Sequence, residues 1–134
     1  MVDVSFVKIR DTINNFALPD VDLVVGIAEG GLVPASLIAY KLDRELKVIK
    51  INLRDENNIP RYEDPKVLQK LNEEIINKRI LLVDDVSVTG KTLETAKSLF
   101  KDNTITTFAM KGKADLVLFP DIKECVNWPW KFHK

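Results

Sequence analysis

Residues 80–92 read I-L-L-V-D-D-V-S-V-T-G-K-T, and few local structures can satisfy such a run. Four consecutive apolar side chains, Ile80 to Val83, suit a strand covered on both faces. Two adjacent carboxylates, Asp84 and Asp85, end it. A short hydroxyl-bearing loop then leads through Gly90 into a segment where Leu93, Ala96, Leu99 and Phe100 recur at helical spacing. A strand therefore delivers two acids and a helix N-terminus to one place. Free backbone N–H groups and the helix dipole make such a place attract phosphate. Thr89 and Thr92 can add hydroxyl donors, while the carboxylates can hold sugar hydroxyls or a divalent cation through oxygen.

A second junction of the same design precedes it. Leu23 to Ile27 is a short apolar run that enters Ala28-Glu29-Gly30-Gly31, and a helix is expected from Leu32 to about Leu42. Pro34 falls in its first turn, where a missing N–H costs nothing. Gly30-Gly31 admits two readings. The pair can simply allow a sharp turn, or it can let backbone amides approach a phosphate closely.

Gly90-Lys91-Thr92 matches the end of the phosphate loop of nucleoside triphosphatases, but the earlier glycine of that loop falls on Asp85. A carboxylate there would face anionic phosphates, which excludes the match. The order of hydrophobic strand, two acids, short loop and Thr-Gly-x-Thr instead resembles the phosphoribosyl-pyrophosphate (PRPP) signature of type I phosphoribosyltransferases. The stretch G-I-A-E-G-G-L-V-P-A resembles the pyrophosphate loop of the xanthine–guanine (6-oxopurine) group within that family. Three C-terminal pieces, A-M-K, D-L-V-L-F and V-N-W-P-W, resemble the end of the same group.

Around these motifs the remaining chain reads as alternating helices and strands. Phe6, Ile9, Ile13 and Phe16 lie on one side of an amphipathic helix over Ser5–Ala17, with Ser5 as cap and Pro19 closing it. V-I-K-I-N-L, from Val48 to Leu53, alternates as a strand. The polar stretch from Arg54 to Pro65 reads as a loop, in the place where many type I enzymes have a mobile cover, and a short helix is expected over Lys66–Asn77. Thr104–Met110 and Asp115–Phe119 read as further strands. This pattern predicts an α/β fold: a single domain over residues 1–134, with an open, mostly parallel sheet flanked by helices. The resemblance adds a small C-terminal segment covering the base.

Composition bounds the partners. Lys plus Arg and Asp plus Glu number 20 each among 134 residues, so no net field favours nucleic acid or an anionic membrane. No apolar run reaches spanning length, and the lone Cys125 fits a reducing compartment. A cytoplasmic location without membrane or nucleic-acid partners is expected. His133, the single histidine, reads as a solvated end.

The resemblance implies displacement of pyrophosphate from C1 of PRPP by a ring nitrogen of a nucleobase, most simply a purine in salvage. It assigns PRPP binding to Ala28, Glu29, Gly30 and Gly31 and to Asp84, Asp85, Val86, Ser87, Val88, Thr89, Gly90, Lys91 and Thr92. Asp84 and Asp85 are its catalytic acids, and Asp85 is its ligand to Mg2+. Lys111, the main chain at Val126, and Trp128 would meet the base. A solvated Lys111 and tryptophans that only lid the core are the alternative readings. The family also implies a homo-oligomer, a dimer or tetramer. Three positions depart from the 6-oxopurine pattern: Glu29 replaces a basic residue, Val88 an aspartate that handles a base proton, and Cys125 a tryptophan. A second function is therefore implied, a non-catalytic regulatory protein that senses PRPP or a nucleotide on the same fold.

Overall fold

The computed structural model describes residues 1–52 and 65–131. The elements, in chain order, are β1 (Val2–Asp3), α1 (Phe6–Asn14), β2 (Leu23–Ala28), α2 (Leu32–Leu42), β3 (Glu45–Asn52), β4 (Lys66–Gln69), β5 (Arg79–Ser87), α3 (Lys91–Ser98), β6 (Thr104–Gly112), β7 (Leu116–Val117) and β8 (Val126–Asn127). Ser5 caps α1 by accepting a hydrogen bond from Lys8 N, as its position predicted. Most of the expected polar loop, and His133, lie outside the described residues.

Six strands form one sheet in the order β4-β3-β2-β5-β6-β7, parallel except for β4. Side chains alternate faces along a strand, and the core divides accordingly. Val24, Leu81, Val83, Phe108 and Met110 face α1 and α2, meeting Ile9, Ile13, Ala35 and Ile38. Leu23, Val25, Ile27, Ile80 and Leu82 face the other way, against Leu93, Ala96 and Phe100 of α3. Gly26 brings α2 close to the sheet, since a Cβ there would lie 2.8 Å from that of Ala35.

The order of strands positions the cleft. From β2 the chain crosses through α2 to β3 on one side, and from β5 through α3 to β6 on the opposite side. The reversal lies between β2 and β5, where open α/β sheets bind ligands. The β2–β5 ladder stops at Gly26–Val83, although β2 runs on to Ala28. Meanwhile β5 stays paired with β6 as far as Ser87–Gly112. Past Val83 the two central strands part, and the acids stand at the opening.

Two sequence expectations need correction. Residues 66–77 do not form a helix: Lys66–Gln69 is an antiparallel strand on β3. The apolar positions there suit either period, but β3 has an open edge that a strand can satisfy and a helix cannot. Val67 enters the α3-side core from that position. The segment after Asp85 is not all loop, because β5 continues through Val86 and Ser87 along β6. The C-terminal segment is tied to the start of the chain. β8 pairs in parallel with β1, and Val2 N donates to Cys125 O at 2.9 Å.

Candidate active site

Both crossover turns converge. A Cβ on Gly30 would collide with the carboxylate of Asp85, and one on Gly31 would collide with Val83 O and lie 3.0 Å from Asp84 Cα. The Glu29–Gly31 turn therefore packs directly on the end of β5. Here the glycines are required by close approach, and neither has a positive φ. Gly31 caps α2, with Ala35 N donating to its carbonyl at 3.0 Å.

Strand alternation separates the two acids. Asp84 shares the parity of Ile80 and Leu82, and Asp85 that of Leu81 and Val83. Asp84 is buried, and its Oδ1 accepts from Asp85 N at 2.8 Å. Burial, and after it the neighbouring Asp85 carboxylate, push Asp84 well above the usual carboxylate range, opposed by that backbone hydrogen bond and by Lys131. The pair thus resists carrying two full negative charges. Asp85 accepts from Val86 N at 2.7 Å through Oδ1, while its Oδ2 lies 3.6 Å from Lys131 Nζ.

The third part is the start of α3. Gly90 takes φ +86° as its N-cap, a backbone conformation that side chains disfavour. Thr89 Oγ1 accepts from Lys91 N at 3.3 Å, so one hydroxyl already serves the turn. Val88 projects outward and is 71% exposed, an apolar group without a proton acceptor. Ser87 Oγ is buried without a partner among the described residues. Gly112 lies so close to Ser87 that a Cβ would strike its carbonyl, and Lys113 N donates to that same oxygen at 2.7 Å.

At the pyrophosphate-like turn, Glu29 points into solvent, with Oε1 3.3 Å from Lys50 Nζ. The Ala28–Glu29 peptide is cis. Lys50 is in register with Ala28, so β3 brings an ammonium group to a turn that lacks its own basic residue.

The residues expected to meet a base behave differently from one another. Lys111 is not merely solvated: its Nζ donates to Glu124 O at 2.6 Å and holds the C-terminal segment. Val126 is half-buried, in register with Val2. Trp128 is 1% exposed, stacked on Phe119 at 6.3 Å and on Trp130 at 5.5 Å between centroids. It therefore belongs to the core and has no free face for a base, which corrects its expected role. Reasoning from sequence missed Lys50, Gly112 and Lys131. No local signal marks the lysines, because each reaches the site through a partner strand or a tail turn.

Residues 8–108 match the family described as the phosphoribosyl transferase domain. The chain belongs to that family. An orotate phosphoribosyltransferase of Sulfurisphaera tokodaii is 34% identical over 89 residues, covering 66% of this chain and 40% of that protein. The transcriptional regulator GfcR of Methanocella arvoryzae is 31% identical over 84 residues, covering 62% and 41%. The chain thus spans about two fifths of the length of these curated relatives. A purine phosphoribosyltransferase of Pyrococcus horikoshii has a similar structure, with TM-score 0.75 and 26% identity over 99% of this chain and 95% of that one. The phosphoribosyltransferase domain thus has its twin turns and acid pair at the switch point of a type I sheet.

The donor chemistry suits magnesium. Among the described residues no cluster of three or more His, Cys, Asp or Glu could hold a metal by itself. Magnesium commonly takes one or two carboxylates and completes its shell with water and substrate phosphate oxygens. Asp85, with Asp84 behind it, matches that sparse requirement. Among the described residues no helix is long and apolar enough to cross a membrane.

Proposed function

We propose that this domain transfers the 5-phosphoribosyl group from PRPP to a nucleobase, with a 6-oxopurine as the favoured class, and releases pyrophosphate. One observation carries the reading: the Asp85 carboxylate packs against Gly30, so the two anion-competent turns meet at one place. A sugar bearing a phosphate at one end and a diphosphate at the other has the matching shape and charge. Its 5′-phosphate would rest at residues 86–92, with backbone N–H groups of the α3 turn and Thr92 as donors. Its ribose hydroxyls would meet Asp84 and Asp85. The diphosphate would lie along residues 28–31, close to Lys50.

Cleavage at C1 builds positive charge on the ribose and negative charge on the departing diphosphate. Fixed carboxylates near the sugar and fixed donors at the turn would stabilise both charges without reorganising. Asp85 would hold magnesium, which when bound supplies neutralising charge to the diphosphate. Lys111 would meet the exocyclic oxygen of the base while keeping its bond to the tail, since an ammonium has three donors. The main chain near Val126 would line the base edge.

The second reading is a PRPP- or nucleotide-sensing regulator. It is favoured by the outward Val88, which offers no proton acceptor, and by the similarity to GfcR. General-base help is worth about 10²–10⁴-fold in rate. The deciding experiment incubates the protein with PRPP, magnesium and a panel of nucleobases, reading pyrophosphate release. Transfer to an oxopurine supports the enzyme. PRPP binding by calorimetry without transfer to any base supports the regulator, and absence of both overturns the PRPP reading. For the enzyme, Val88→Asp is expected to raise oxopurine turnover; equal or lower turnover counts against a missing base at that position.

A further inference from the structure

The last rung between β5 and β6 joins the place proposed for the base to the turn proposed for the 5′-phosphate. Lys111 is in register with Val86 and Gly112 with Ser87, so Lys111 stands just before the rung while Val88 and Thr89 follow just after it. Gly112 takes φ +106°, and a Cβ there would strike Ser87 O and lie 2.7 Å from Ser87 C. Both are backbone atoms of a central strand, so no side-chain rotation makes room. Lys113 N donates to the same Ser87 oxygen at 2.7 Å. The chain then turns straight back onto β6. Thr107 N donates to Asp115 Oδ2 and Asp115 N to Thr107 Oγ1, each at 2.9 Å. Ser87 and Thr107 are buried, where little water competes for such bonds. The end of β6 is thus fixed against the end of β5 by a close approach and by the turn that follows.

We propose that Gly112 is a positioning residue: its rung with Ser87 sets the distance from Lys111 to the 88–92 turn, and so favours ligands that carry a base and a 5′-phosphate on one ribose. The inference rests on the nucleobase-transfer reading and adds a determinant of ligand span to it. A molecule gripped at one end makes its second contact intramolecularly, but only where the two grips stand as far apart as the molecule is long. A side chain at position 112 would force the two strand ends apart. Lys111 would shift against the α3 turn while each grip kept its own chemistry. PRPP carries no base and does not use this span.

The test is calorimetric titration of the full chain with inosine 5′-monophosphate and, separately, with PRPP, both in magnesium chloride. Gly112→Ala is expected to weaken the nucleotide more than about tenfold and PRPP less than about threefold. In a Lys111→Ala background the base end is already released, so adding Gly112→Ala is expected to cost the nucleotide less than about threefold more. A purely structural role would weaken both ligands alike and add in full to Lys111→Ala. Asp115→Ala loosens the same turn without adding bulk; it is expected to weaken the nucleotide selectively, and it carries the test if Gly112→Ala melts far below wild type. Equal losses for the two ligands, no loss for either, or full additivity with Lys111→Ala overturns the proposal and leaves the transfer reading intact. Wild type that binds PRPP but not the nucleotide, or neither, overturns the oxopurine reading and the proposal with it.

Discussion

Alanine at the two neighbouring glycines of the pyrophosphate-like turn should have opposite consequences. At Gly31 the φ of −83° suits any residue, so only space opposes a side chain. A Cβ there would strike Val83 O and lie 2.7 Å from Ile27 O, both backbone atoms of central strands that cannot move independently. Overpacking of this kind costs about 1–3 kcal/mol, and the rigid neighbours argue for the upper half. With about 4 °C per kcal/mol for a chain of this size, Gly31→Ala should melt about 8–12 °C below wild type. At Gly30 the obstacle is the Asp85 carboxylate, the end of a side chain that can rotate away. Doing so breaks its hydrogen bond from Val86 N and its pairing with Lys131. Gly30→Ala should therefore lose only about 1–2 kcal/mol of stability but more than about tenfold in PRPP affinity. Thermal melts followed by circular dichroism, and PRPP calorimetry on the same samples, read both effects. Melting of Gly31→Ala within about 2 °C of wild type would refute the packing of one turn on the other. Undiminished PRPP affinity in Gly30→Ala would refute the claim that this packing sets the position of the acid.

Three further outcomes are expected. Glu29→Gln should tighten pyrophosphate binding about two- to fivefold by releasing Lys50, in line with the modest worth of exposed pairs, and the gain should vanish in a Lys50→Met background; a gain that persists there places its cause elsewhere. Lys111→Ala should cost about 1.5–3 kcal/mol through the lost bond to Glu124 O and weaken oxopurine nucleotide binding far more than PRPP binding, and equal losses for both ligands would remove its role at the base. Side-chain and backbone hydrogen bonds with Arg79 hold Asp22 well below its ordinary value of 3.8, so its stabilisation is present above that pH and lost as pH falls through the depressed folded value. Asp22→Asn should accordingly melt below wild type at neutral pH, with a gap that narrows on acidification, and a gap constant to strongly acid pH would contradict this linkage.

Much of this architecture can be read without coordinates. The apolar run Ile80–Val83 followed by two acids dictates a central strand, and strand alternation then sends Asp84 and Asp85 to opposite faces. The Ser5 cap, the start of α2 at Leu32 and the glycine turn before it follow from local stereochemistry alone. These features depend on residues within a few positions of one another, where spacing and backbone preference decide.

What tertiary structure decided is each relationship between distant segments. Residues 66–69 are a strand because β3 offers an unpaired edge, not because of their own pattern. Trp128 is core because Phe119 and Trp130 both stack on it and it is 1% exposed, although the tail's composition also allowed a base lid. The ladder between β2 and β5 ends early, and strand register carries Lys50, and the turn after β8 carries Lys131, to the two acidic side chains there. Local sequence encodes the period of an element and the shape of its ends. Which elements meet, and at what offset, is set by how buried apolar area and backbone hydrogen bonds are satisfied across the whole chain.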